Sequence, residues 1–171
     1  SHKFYALKGC GVLFARRGAP FVNLIHGGGQ ERGRRGGTEN VLALWSLQQM
    51  LSSLKNLEFK NTEVRKLRDH FETSIQNKIS GVTITARESL RLSNTSSLVI
   101  QDVDGETLLM SLDLKGFAVS TGAACSSGNP EPSPVLLSMG LSREEAQSSL
   151  RVSLGWHTTL DEIDLFISAL V

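Results

Sequence analysis

Phe117-Ala118-Val119-Ser120-Thr121-Gly122-Ala123-Ala124-Cys125-Ser126-Ser127-Gly128 passes from an apolar strand pattern into a run of small side chains, with Pro130 and Pro132 close behind. Phe117–Val119 reads as a short strand. Ser120–Gly128 cannot pack as a core element, because it offers almost no side-chain area and its glycines favour turns. Cys125 therefore sits on a tether of small residues. Two readings of it stay open on residue type alone. A nucleophilic sulfur needs a tether to approach a reacting atom and carry its product away. A free cysteine is equally at home as a small buried thiol.

Working outward, the flanking segments set the fold class. Upstream, a helical period over about 61–79 places Val64, Leu67, Phe71, Ile75 and Ile79 on one face, and Gly81 closes it. Val82–Thr85 and Ser97–Ile100 read as strands. Asp104-Gly105-Glu106 opens a helix that runs through Leu114 and ends at Lys115-Gly116. Downstream, Ser133-Pro134 is an N-cap with proline at the first helical position. Ser142 with Glu145, and Thr159 with Glu162, fit capping boxes. Leu150–Leu154 alternates around Arg151 and Ser153 as a strand, and a last helix covers about 160–171. Helices alternating with short strands predict an α+β layer, a mostly antiparallel sheet with helices on one side.

The N-terminal third has a different texture. Gly9–Ala15 and Phe21–Ile25 read as two strands, a possible hairpin closed by Arg16-Arg17-Gly18-Ala19-Pro20, with Cys10 as packing. His26–Thr38 interleaves glycines with Arg32, Arg34 and Arg35 before Thr38, which reads as a helix N-cap with Glu39 in the first turn. A cationic glycine loop running into a helix is a ready anion site, and the alternative is a solvated surface loop. The missing lysine and the wrong spacing exclude a P-loop. Val41–Leu54 carries a helical period, and Asn56–Asn61 is the expected boundary between subdomains.

Bulk composition narrows the classes of function. The 171 residues are 40% hydrophobic and 20% charged, as in ordinary soluble domains, with a net charge of +1. Such a charge suggests neither a nucleic-acid binder nor a membrane-surface protein. No apolar run reaches the roughly 18 residues of a membrane helix, and no signal peptide opens the chain. Residues 1–36 carry seven Lys or Arg against Glu31 alone, so this part suits an anionic ligand. Two cysteines in unlike contexts point to a reduced, cytoplasmic protein without a structural disulfide.

Four motifs in order then carry a resemblance. Ser1-His-Lys-Phe-Tyr-x-x-Lys-Gly-x-Gly11 resembles the pyridoxal-phosphate lysine segment of the class V aminotransferase superfamily. His26-Gly-Gly-Gly-Gln-Glu-Arg-Gly-x-Arg-x-Gly-Thr-Glu-Asn40 resembles that superfamily's cysteine desulfurases in particular. Ser120-Thr-Gly-Ala-Ala-Cys-Ser-Ser-Gly-x-x-Glu-Pro-Ser133 and Ser148-Ser-Leu-Arg-Val-Ser-Leu-Gly155 complete the pattern.

The resemblance implies a part of a fold type I pyridoxal-phosphate enzyme. Residues 1–57 would be the end of the large α/β domain, and 58–171 a small α+β domain carrying the catalytic cysteine. It implies that Lys3 binds pyridoxal phosphate covalently and that His2 and Thr38 are phosphate ligands, Thr38 for the partner subunit. It implies that Cys125 takes sulfur as a persulfide and that Arg151 grips the substrate carboxylate. The residue types suit these roles: a lysine amine can capture an aldehyde, and a guanidinium fork matches a carboxylate. Taken singly, Lys3 is also a plausible surface lysine, His2 a loop residue and Arg151 a strand-end ion-pair partner.

The implied activity converts L-cysteine to L-alanine and passes sulfur to an acceptor such as an iron–sulfur scaffold, in a cytoplasmic homodimer, with no metal, nucleic acid or membrane involved. Selenocysteine lyase shares the pattern, and a non-catalytic C-terminal interaction module is a reading of another class. Two departures stand out. Ser1 directly precedes His2, where the family has an intervening residue, so Ser1 is not assigned as a phosphate ligand. In the family, roughly half the chain precedes the lysine, so the expectation is a C-terminal half that is folded but inactive by itself.

Overall fold

The computed structural model describes residues 1–121 and 131–171. The chain divides into two compact units, Ser1–Leu57 and Glu58–Val171.

In the first unit, a single 3-10 turn covers His2–Phe4 and one distorted helical turn, α1, covers Gln30–Gly33. Helix α2 (Val41–Ser52) follows, then a 3-10 turn, Ser53–Asn56. The cap of α2 is Asn40, whose Oδ1 accepts from Ala43 N at 3.2 Å, and not Thr38 as the sequence pattern suggests. Both residue types make good caps, and the backbone turns into the helix two residues later than Thr38.

The two expected strands, Gly9–Ala15 and Phe21–Ile25, do not form: this unit contains no strand. The turn between them closes with Ala19 N donating to Arg16 O at 3.0 Å, yet the flanks make no ladder. A two-stranded hairpin alone is at best marginal in water, and these flanks have no third strand to pair with. Val12, Leu13, Phe14, Val22 and Leu24 stand in solvent as a result.

The second unit is built on a four-stranded antiparallel sheet of order β1-β2-β4-β3, made of β1 (Val82–Ile84), β2 (Thr95–Ile100), β3 (Ser120–Thr121) and β4 (Ser149–Ser153). The expected strand Phe117–Val119 begins three residues later, where Ser120 and Thr121 pair with Arg151 and Leu150. Helices α3 (Leu57–Lys78), α4 (Gly105–Leu114), α5 (Pro134–Ser138), α6 (Arg143–Gln147) and α7 (Leu160–Leu170) complete it.

Strand alternation splits the sheet into two faces. Ile84, Leu98, Ile100, Leu150 and Val152 point into the core, where they meet Val64, Phe71 and Ile75 of α3, Leu112 of α4, and Ile163, Phe166 and Ile167 of α7. The Phe166 ring lies 5.5 Å from that of Phe71 and 5.3 Å from that of Phe117. Each such buried side chain contributes about 1.5–3 kcal/mol by leaving water. Thr83, Ser97, Arg151 and Ser120 lie on the other face.

Local signals place the helix ends. Asp104 caps α4, accepting from Thr107 N at 2.8 Å and from Thr107 Oγ1 at 2.6 Å. Ser142 with Glu145 and Thr159 with Glu162 form reciprocal capping boxes on α6 and α7. Gly105 is required by a close approach: a Cβ there would lie 2.5 Å from Gln147 O and 2.8 Å from Ser149 O.

Candidate active site

In the first unit, His2 and Lys3 share the opening 3-10 turn and are exposed. The turn is tied down by its first residue: Ser1 N donates to Cys10 O at 3.1 Å and Ser1 Oγ donates to Cys10 O at 2.9 Å. Leu7 N donates to Ser46 Oγ of α2 at 2.9 Å. Cys10 is half-buried, its thiol 3.3 Å from Ser1 Oγ and 3.4 Å from Ala43 O, which accords with a packing role. Lys3 has no ion-pair partner among the described residues.

The glycine–arginine loop is closed by backbone. Gly36 N donates to Ile25 O at 2.9 Å, and a Cβ on Gly36 would lie 2.8 Å from Gly27 Cα, so this crossing requires glycine. Glu31 and Arg32 take left-handed φ of 50° and 58°. Arg32, Arg34, Arg35 and Thr38 line one open cleft with the Gly9–Leu13 segment, whereas His2 and Lys3 do not line it. Thr38 thus shares a cleft with the arginines.

In the second unit, Arg151 stands on β4 between Ser97 of β2 and Ser120 of β3, each directly opposite it in register. The residue as a whole is half-buried, yet its Nε is shielded from water and has no hydrogen-bond partner. A guanidinium donates five N–H bonds and accepts none, so an orphaned Nε is suited to an anion. Cys125 lies outside the described residues. The last described residue before it, Thr121, is paired with Leu150, next to Arg151. Ser97 escapes a reading of the sequence by motif, and Ser120, which opens the cysteine motif, takes no role from it; the register with Arg151 brings out both.

The chain matches the family described as Aminotransferase class-V over residues 1–166. It belongs to that family. Among its relatives, the cysteine desulfurase IscS of Clostridium botulinum is 40% identical over 173 residues, covering 99% of the chain and 44% of the relative. The cysteine desulfurase NifS of Azotobacter vinelandii is 41% identical over 167 residues, covering 97% of the chain and 42% of the relative. A solved NifS-like protein superposes with a TM-score of 0.84 at 34% identity, over 98% of the chain and 42% of that structure. A NifS-like protein from Rickettsia africae gives 0.74 at 35% identity, over 87% of the chain and 39% of that structure. The chain therefore spans under half the length of these relatives. Among its described residues, no helix is long and apolar enough to cross a membrane.

Proposed function

We propose that the chain is the cysteine-bearing part of a pyridoxal-phosphate-dependent cysteine desulfurase. The observation that carries this reading is Arg151, whose shielded Nε has no hydrogen-bond partner, on the strand that pairs with the last described residues before Cys125.

The residues present suit the cofactor in kind. Lys3 supplies an exposed amine for an aldehyde, with His2 next to it as a phosphate ligand, and Thr38, which lines a cleft with Arg34 and Arg35, supplies donors for the phosphate of the partner subunit's cofactor. Pyridoxal phosphate, when bound, supplies an electron sink for the substrate's α-carbon. The chain's own residues do the rest. Lys3 Nζ takes the α-proton, and Arg151 fixes the carboxylate through parallel N–H bonds. Cys125 takes the sulfur: its own S–H is replaced by S–S, the substrate's carbon–sulfur bond breaks, and the carbon gains a proton. L-Cysteine and the Cys125 thiol thus become L-alanine and a Cys125 persulfide, with atoms and electrons balanced.

A persulfide on a small-residue segment suits delivery to a sulfur acceptor, of the kind that assembles iron–sulfur clusters or thiolated cofactors. A homodimer in the cytoplasm is the setting this reading implies. The experiment is mass spectrometry of Cys125 after incubation of the cofactor-loaded protein with L-cysteine, with alanine measured in parallel. A 32-Da adduct on the Cys125 peptide, absent in Cys125→Ala, is expected on the basis that the sulfur is taken covalently. Alanine production undiminished in Cys125→Ala would exclude this role.

A further inference from the structure

We propose that Ser97, Arg151 and Ser120 act as one carboxylate-binding row, in which the two serine hydroxyls share the ligand with the guanidinium. The proposal deepens the desulfurase reading and rests on it for the identity of the ligand, the carboxylate of an α-amino acid.

The row is set by register. Ser97 on β2 and Ser120 on β3 each pair with Arg151 on β4. Directly opposite residues in an antiparallel sheet hold their Cβ atoms about 4.5–5.5 Å apart and on the same face. The next row, Leu98 with Leu150, is fully buried in the core, so the serine–arginine–serine row faces away from it.

The Arg151 Nε is shielded from water while the residue as a whole is only half-buried. Serine stands at both flanks. An acidic side chain at either flank would neutralise Arg151 from within, and a large apolar one would cover it. None of the ion pairs among the described residues involves Arg151.

The chemistry of the ligand explains the flanking hydroxyls. A carboxylate has about four lone-pair sites, and a guanidinium fork takes two of them. The two that remain need donors, and a serine O–H on each neighbouring strand supplies them without adding charge.

The test is steady-state turnover of L-cysteine by the cofactor-loaded protein. Ser97→Ala and Ser120→Ala are each expected to raise KM at least about 10-fold with kcat nearly unchanged, the effect of losing one hydrogen bond to a charged group. Ser97→Thr, which keeps the hydroxyl on a strand, is expected to keep the wild-type KM. Ser97→Asp, an internal competitor for Arg151, is expected to raise KM by roughly 30-fold or more. Thr83→Asp, exposed on the same face of β1 but paired with Val99, is the control and leaves KM unchanged. Equal KM values in wild type, Ser97→Ala, Ser120→Ala and Ser97→Asp overturn the proposal.

A second measurement separates the row from the activity. The Arg151 Nε–H resonance, assigned by its loss in Arg151→Lys, is followed while propionate is added to the 171-residue chain. It is expected to shift in wild type and to be unresponsive in Ser97→Asp. No shift in wild type overturns the row even where turnover is normal. A shift in the 171-residue chain with no turnover of cysteine by the full-length, cofactor-loaded enzyme leaves the row standing and removes the desulfurase reading.

Discussion

Glu72 and Arg91 face each other in a two-pronged ion pair, with Arg91 Nη1 and Nη2 each donating to one Glu72 carboxylate oxygen at 2.6 Å. Glu72 lies on α3 with its side chain 2% exposed, among Phe71 and Ile75, and Arg91 comes from the connection between β1 and β2. Arg68, one turn before Glu72 on α3, donates from Nη1 to Leu92 O at 2.7 Å, so the connection is tied to the helix at consecutive residues. The paired carboxylate holds the Arg91 guanidinium above its ordinary pKa, first through the hydrogen bonds and then through charge.

Removing one member of this pair leaves the other's charge buried. Arg91→Ala is expected to cost about 3–5 kcal/mol of unfolding free energy, because the Glu72 carboxylate would have no compensating partner. Replacing both, as Glu72→Leu with Arg91→Leu, is expected to cost clearly less than Arg91→Ala alone. Urea unfolding of wild type and the two variants checks the order, and a single-mutant loss below that of the double would refute it.

Gly105→Ala tests the contact between the start of α4 and the approach to β4. The added Cβ would meet two backbone carbonyl oxygens inside any normal contact distance, and neither can rotate away. The expected loss is about 1–3 kcal/mol, the range for overpacking. Gly11→Ala meets nothing within 4 Å and serves as the comparison, with a thermal midpoint close to wild type.

Asp104 gives a pH dependence with a definite sign. Its carboxyl is held below the usual carboxylate range, first by the Thr107 hydroxyl and then by the Thr107 backbone N–H. A depressed folded-state pKa means that the stabilisation is present above the unfolded value of about 3.9 and is lost as pH falls through the folded one. Asp104→Ala is therefore expected to be less stable than wild type at neutral pH and to converge with it in acid. A gap in urea midpoint that stays constant from neutral pH to about pH 2 would show that the charge is irrelevant to this cap.

Arg151→Ala is expected to weaken capture of L-cysteine far more than it weakens retention of pyridoxal phosphate. A lost charge-assisted hydrogen bond costs about 1.5–3 kcal/mol, or roughly 10- to 150-fold in KM. Cofactor absorbance after desalting reads the second quantity. An unchanged KM would mean that Arg151 serves only the sheet.

What could be read from the sequence was local. The serine–glutamate and threonine–glutamate spacings of α6 and α7, the Ser133-Pro134 start of α5 and the alternation around Arg151 each depend on residues a few positions apart, and each appears in the structure. The failures were nonlocal. Apolar runs at Gly9–Ala15 and Phe21–Ile25 have strand composition, but a strand exists only where another chain segment pairs with it. Thr38 and Asn40 are both competent caps, and the choice depends on where the backbone turns into α2. The register that sets Ser97 against Arg151 joins residues more than fifty positions apart, and no window along the chain contains both. The same holds for Arg91 and Glu72, nineteen positions apart and on different elements.

The sheet's outermost strand is only two residues long and is held through one neighbour, β4. Opening it breaks the pairing of Ser120 and Thr121 alone, while β2, with strands on both sides, opens only with the core. Amide protons should report that gradient: Ser120 and Thr121 exchange with solvent at a cost well below global unfolding, and Leu98 and Val152 at close to the full cost. The short edge strand at Ser120 and Thr121 can thus open while the hydrophobic layer beneath Leu98 and Leu150 stays intact.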